Sequence, residues 1–89
     1  MRLDERPRQN TDTAARRIDG LFYVVDPSTH ELHSFNEVGS FIWELLDGTK
    51  TVATIVDAVV SSYEVDRLRA ERGVTVFLDQ LQAKNLVEV

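Results

Sequence analysis

The stretch from His30 to Gly48, HELHSFNEVGSFIWELLDG, constrains the fold more than any other part of the chain. A polar, alternating segment runs into an amphipathic one with only Asn36 between them. Val38, Phe41, Ile42, Leu45 and Leu46 fall at i, i+3, i+4, i+7 and i+8, one continuous helical stripe. Asn36 is a favoured N-cap, Glu37 sits where the helix dipole favours an anion, and Gly48 ends the run. A strand therefore passes into a helix through a one-residue corner. Trp43 lies about 140° round the helix from Val38. A tryptophan so placed more often covers a neighbouring element than anchors a partner.

On either side the pattern is equally legible. LFYVV (Leu21–Val25) is the strongest strand, and its unbroken apolar run predicts burial on both faces. Ahead of it, TAARRI is followed by Asp19-Gly20, a hairpin dipeptide, and so reads as an edge strand. Asp26-Pro27-Ser28-Thr29 is turn chemistry, with Pro27 suited to the second position of a type I turn. HELHSF then returns as the third strand. Beyond Gly48, Thr51 caps a helix carrying Val52, Ile55, Val56, Val59, Val60 and Tyr63 at helical spacing. A third helix starts near Asp66, passes through Gly73, and buries Val74, Phe77, Leu78 and Leu81. Leu86 folds back onto the core. The expected fold class is α+β: a three-stranded antiparallel meander followed by a three-helix bundle, like a winged helix-turn-helix.

At 89 residues the chain makes one domain, too small to enclose a deep catalytic cavity. Residues 1–12 lack periodicity and are expected to be a flexible arm, leaving 13–89 as the folded unit. The arm has no apolar core, so it does not read as a secretory signal. No apolar run approaches the length of a membrane span, and cysteine is absent, which makes a reducing cytoplasm the natural setting. Residues 1–20 hold five Arg against four acids, and residues 21–89 hold five Lys or Arg against eleven. An acidic body of net −6 repels phosphate backbones.

The remaining chemistry is sparse. His30 and His33, with Glu31 and Glu37 nearby, have the ligand types of a metal site, but residues three apart on a strand point to opposite faces. No nucleophile elbow and no phosphate-cradling glycine loop occurs, so neither an enzyme nor a cofactor is implied. Arg67, Arg69 and Arg72 on the third helix are interleaved with Asp66 and Glu71, close to neutral for a recognition helix. A small winged-helix DNA-binding or regulatory domain is the alternative to a peptide-binding module. A homodimer built by pairing exposed strand edges is a third possibility.

Taken in order, the Asp26-Pro27 turn, His30-x-Leu32, N-E-x-G from Asn36, I-W-x-L-L-D-G from Ile42 and T-V-x-x-I-V from Thr51 resemble the PqqD-like family over residues 14–88. These are small peptide chaperones, the precursor-recognition elements of ribosomally made, modified peptides. Two positions depart from the pattern: Phe35 replaces a usual Leu, and Gly73 stands where an acid is common. The resemblance implies a non-catalytic domain that binds the leader of a precursor peptide as an antiparallel strand between the third strand and third helix. The complex is then presented to a modifying enzyme, such as a radical S-adenosylmethionine enzyme or a leader peptidase. By position, the binding edge is His30, Glu31, Leu32, His33, Ser34 and Phe35, acting mainly through backbone groups. The opposite wall is Phe77 with Gly73 and Gln80 beside it and Val76 further round, and the alternative Glu71–Thr75 flank stays open. Gly73 would leave room for a bulky leader side chain.

Overall fold

The computed structural model describes residues 1–89. After a short β1 (Arg8–Gln9) come β2 (Ala14–Ile18), β3 (Leu21–Val25) and β4 (Leu32–Ser34), then α1 (Glu37–Glu44), α2 (Val52–Tyr63), α3 (Arg67–Ala83) and β5 (Val87–Glu88). The sheet β2-β3-β4 is antiparallel throughout, and β1 pairs with β5 in a separate two-stranded ribbon. The α+β class, the three-stranded sheet and the three helices agree with the sequence reading; the ribbon was not foreseen. No helix is long and apolar enough to cross a membrane.

Local chemistry places each turn. Asp19 and Gly20 both have positive φ, 52° and 83°, the type I′ geometry that matches strand twist. Between β3 and β4, the buried Asp26 carboxylate accepts hydrogen bonds from the Ser28 backbone N–H at 2.9 Å and the Ser28 hydroxyl at 2.8 Å. The turn closes one residue later than the type I expectation, with His30 N donating to Asp26 O at 2.9 Å and His30 in the left-handed region at φ 61°. His30 is thus a turn residue, and β4 is shorter than the six residues of HELHSF.

The three helices are capped as their sequences dictate. Asn36 accepts from Gly39 N, Thr51 from Thr54 N, and Asp66 from Leu68 N and Arg69 N. At the end of α3, Leu86 N donates to Leu81 O and Asn85 N to Gln82 O, with Asn85 at φ 58°. This Schellman closure throws Leu86 back into the core beside Leu81, both buried. The core runs from Val24 and Phe35 through Ile42, Trp43 and Leu46 to Val52, Ile55, Val56, Val74 and Leu78.

Two expectations about burial are corrected. β3 is fully buried only at Val24, because the helices cover one face of the sheet and leave the other, with Tyr23 and Val25, half-exposed. On α1 the buried positions are Gly39, Ser40, Ile42 and Trp43, with Leu46 buried just past its end. The helix is wedged between the sheet and the other helices, so its covered face is centred nearer Trp43 than the apolar stripe predicts. Phe41, half-buried, packs edge-on against Tyr63 with ring centroids 5.4 Å apart. Trp43 covers Phe35, centroid to centroid 5.5 Å, as a packing residue.

The larger correction concerns residues 1–12. They are laid along the body. Pro7 is buried, Gln9 N donates to Leu46 O at 3.0 Å, and Asn10 N donates to Leu86 O at 2.9 Å. Glu5 O and Leu3 O accept from Val52 N and Ala53 N, two first-turn donors of α2 that no helical carbonyl can reach. Periodicity could not reveal this, since the segment is held mainly through its backbone. Deleting residues 1–10 is expected to lower unfolding free energy by about 2–4 kcal/mol, from lost hydrogen bonds offset by chain entropy. Urea denaturation checks it; a change within about 0.5 kcal/mol would mean a free arm.

Asp26 and Asp47 give the domain an acid limit. Ser28 holds the Asp26 carboxyl below its ordinary range, and the Thr49 hydroxyl at 2.6 Å, then Lys50 Nζ at 2.9 Å, hold Asp47 well below it. A depressed folded-state pKa contributes stability that is complete above the unfolded value of about 3.9 and is lost as pH falls toward the folded one. Asp26→Asn and Asp47→Asn should each lower stability at pH 7 and flatten its decline below about pH 4. Urea midpoints from pH 2 to pH 7 measure both effects.

Candidate functional site

β4 is an edge strand: β3 occupies one side and nothing pairs with the other. Glu31 O accepts from Asp26 N at 2.9 Å, and Phe35 N donates to Phe22 O at 3.0 Å. Backbone groups in an antiparallel ladder alternate in direction, so residues 31, 33 and 35 face β3. Leu32 and Ser34 therefore turn their N–H and C=O groups to the open side.

Below that edge lies a cleft of about 330 Å³ between β4 and α3. Leu32, His33, Ser34 and Phe35 form one wall, and Phe77 and Gln80 stand opposite. Phe35 is the hinge of this arrangement. Its ring meets Phe77 edge-on at 5.3 Å and Trp43 at 5.5 Å, which joins strand, α1 and α3 in one aromatic contact. Gly39 makes the corner possible: a Cβ there would sit 3.2 Å from Phe35 Cβ and 3.3 Å from Phe77 Cζ. The N-E-x-G motif thus has a local reason. Asn36 caps the helix, and the glycine three residues on admits two phenyl rings.

Of the residues singled out by sequence, six meet in this cleft: Leu32, His33, Ser34, Phe35, Phe77 and Gln80. Glu31 is beside it, its carboxylate 3.7 Å from His33 Nε2. His30 is withdrawn into the turn. Val76 is 56% exposed and lines no cavity, because it projects a full 100° away from Phe77. Gly73 lines a second, apolar cavity of about 300 Å³ among the three helices, which shares Phe77 with the cleft. A Cβ at Gly73 would meet nothing within 4 Å, so the mouth of that cavity is open. The Glu71–Thr75 flank of α3 faces Met1 to Asp4 instead. Leu81, Lys84 and Leu86 also line the cleft and were missed. Lys84 was recoverable, since Phe77, Gln80 and Lys84 stand at i, i+3 and i+7 on one helix face.

The site holds no nucleophile with an adjacent base. What it offers is a row of backbone donors and acceptors above an aromatic wall, an arrangement suited to an extended peptide. Comparison with known proteins agrees in kind. The family model described as "Coenzyme PQQ synthesis protein D (PqqD)" matches residues 22–87. No curated protein matches the chain by sequence. Among solved structures, TbiB1 in complex with the TbiA(beta) leader peptide is 33% identical, with a TM-score of 0.83 over 91% of this chain and 94% of that one. A lasso peptide synthetase B1 complexed with its leader peptide shares 20% identity, with a TM-score of 0.83 over 94% of this chain and 99% of that one. The PqqD truncation of Methylobacterium extorquens PqqCD, described as a stand-alone recognition element for ribosomally synthesized, post-translationally modified peptides, is 20% identical. Its TM-score is 0.75, over 93% of this chain and 88% of that one. With three-quarters of its length under one family model and a 33%-identical structural relative, the chain belongs to the PqqD family.

Proposed function

We propose that this domain binds the leader segment of a ribosomally made precursor peptide as a fourth strand, in the order β2-β3-β4-leader. The observation that carries the reading is the open β4 edge above the Phe77 wall: Leu32 and Ser34 supply the backbone bonds, and the cleft receives alternate leader side chains. The 33%-identical relative, TbiB1, is described in complex with a leader peptide, which supports leader binding as the use of this fold. Gly73 leaves a neighbouring apolar cavity open to a bulky leader residue. The domain has no catalytic role of its own. It acts in the cytoplasm, presenting the bound precursor to a modifying enzyme such as a radical S-adenosylmethionine enzyme or a leader peptidase.

The sheet-plus-three-helix order is winged-helix-like, so DNA binding is the reading to be set aside. Two observations weigh against it. The body is acidic, and Arg67, one of three arginines near the start of α3, is engaged by Asp57, whose carboxylate raises the guanidinium pKa further. Self-pairing is also disfavoured at the longer free edge, because an antiparallel β2–β2 contact centred on Arg16 would set Arg16 opposite its own copy.

Fluorescence anisotropy with a labelled leader segment of a ribosomally made precursor peptide, the TbiA(beta) leader being the first probe, and with labelled duplex DNA, separates the readings. Saturable peptide binding is expected, with no saturable DNA binding at physiological salt. Phe77→Ala should weaken the peptide by about tenfold or more, whereas Val76→Ala should stay within about twofold. Saturable DNA binding without peptide binding would overturn the proposal.

A further inference from the structure

The β4–α3 cleft carries a charge pattern opposite to the body around it. Residues 21–89 hold eleven acids, yet no carboxylate lines the cleft; its ionisable side chains are His33 and Lys84. His33 is mostly covered, its side chain 16% exposed, and its Nε2 is buried with no hydrogen-bond partner. Glu31 Oε2, at 3.7 Å, is beyond hydrogen-bond reach and belongs to a side chain that is 67% exposed. Lys84 caps the end of α3 and makes no ion pair. The carbonyls of Gln80, Leu81 and Gln82 are taken up by the backbone N–H groups of Lys84, Asn85 and Leu86, so they do not compete for its ammonium.

Direction along the cleft follows from the same geometry. Phe35 meets Phe77, Leu32 and His33 precede Phe35 along β4, and Lys84 stands two turns beyond Phe77 along α3, all lining the same cleft. A guest strand antiparallel to β4 starts beside Phe35 and ends beside Leu32. The seven-residue step from Phe77 to Lys84 covers about 10 Å of helix, or about three residues of strand. Strand side chains alternate between faces, so two cleft-facing guest residues that far apart are separated by two or four positions.

We infer that the cleft selects an acidic guest residue: an Asp or Glu two or four positions after an apolar residue seated on Phe77, its carboxylate received by Lys84 and by His33 Nε2–H. The inference rests on the leader-binding reading and adds to it a chemical class of sequence. His33 Nε2 lacks both solvent and a partner in the free domain, so a guest carboxylate that reaches it by a turn of the imidazole satisfies it while pairing with the only ammonium lining the cleft.

The test uses a display library of random 15-residue peptides panned on the immobilised chain, with clones that still bind Phe77→Ala discarded. Wild-type selections should enrich Asp or Glu two or four positions after an apolar or aromatic residue. Parallel selections on Lys84→Ala, an exposed position, and on His33→Gln/Lys84→Ala should keep the apolar residue and lose the acid. Replacing the acid of a selected peptide by its amide should weaken wild-type binding by about fivefold and binding to Lys84→Ala by much less. Peptides that require Phe77 but carry no acid at that spacing would overturn the inference and leave leader binding standing. If no peptide is enriched at all, both fall.

Discussion

Ser40 is on α1 with 1% of its surface exposed, and its hydroxyl is where sheet and helices are joined. Phe22 N–H of β3 donates to it at 2.9 Å, and Phe35 O, at the end of β4, lies 3.5 Å away. Phe22 O in turn accepts from Phe35 N, so one small polar cycle ties β3, the strand-to-helix corner and α1 together. Without the hydroxyl, the Phe22 N–H would be left facing a covered helix, at a cost of about 1–3 kcal/mol. This tie fixes where Phe35 points, and Phe35 fixes where α3 can lie through its contact with Phe77. The cleft is the space that remains between them.

The same constraint explains why a polar edge can stay unpaired in a stable protein. β4 is only three residues long, and the helix opposite shields one of its faces, so it offers little to a second copy of the sheet. Its backbone is held on the β3 side by the turn that Asp26 organises, which leaves the open side rigid before any guest arrives. Rigid donors and acceptors lower the ordering cost of binding, which then falls almost wholly on the guest. The N-terminal segment supports this from behind. It closes the first turn of α2 and pairs with the chain end, where Leu86 completes the far end of the cleft.

Much of this was legible in the sequence, and the exceptions have physical causes. The hairpin at Asp19-Gly20, the caps at Asn36, Thr51 and Asp66, and the return of Leu86 each follow from side-chain chemistry acting within a few residues. Leu32 to Phe35, Phe77 and Gln80 came from family resemblance and meet in one cleft. The strap formed by residues 1–10 was not legible because most of its bonds use peptide groups, which every sequence has, and the side chains of Arg6, Gln9 and Asn10 donate to backbone carbonyls that no pattern marks. Burial on α1 was misjudged for a different reason: periodicity locates an apolar stripe, whereas the side of a two-turn helix that is covered depends on which neighbours reach it. Val76 shows the limit of placing a residue by helical proximity alone, one position from Phe77 and yet facing solvent.

Amide hydrogen exchange, read residue by residue by NMR with and without saturating leader peptide, tests the central claim most directly. The account predicts that the Leu32 and Ser34 amides, open in the free domain, gain strong protection on binding, while the β2 amides keep their free-state rates. Protection appearing along Ala14–Ile18 with Leu32 and Ser34 unchanged would contradict it, and would place the guest on the opposite edge of the sheet.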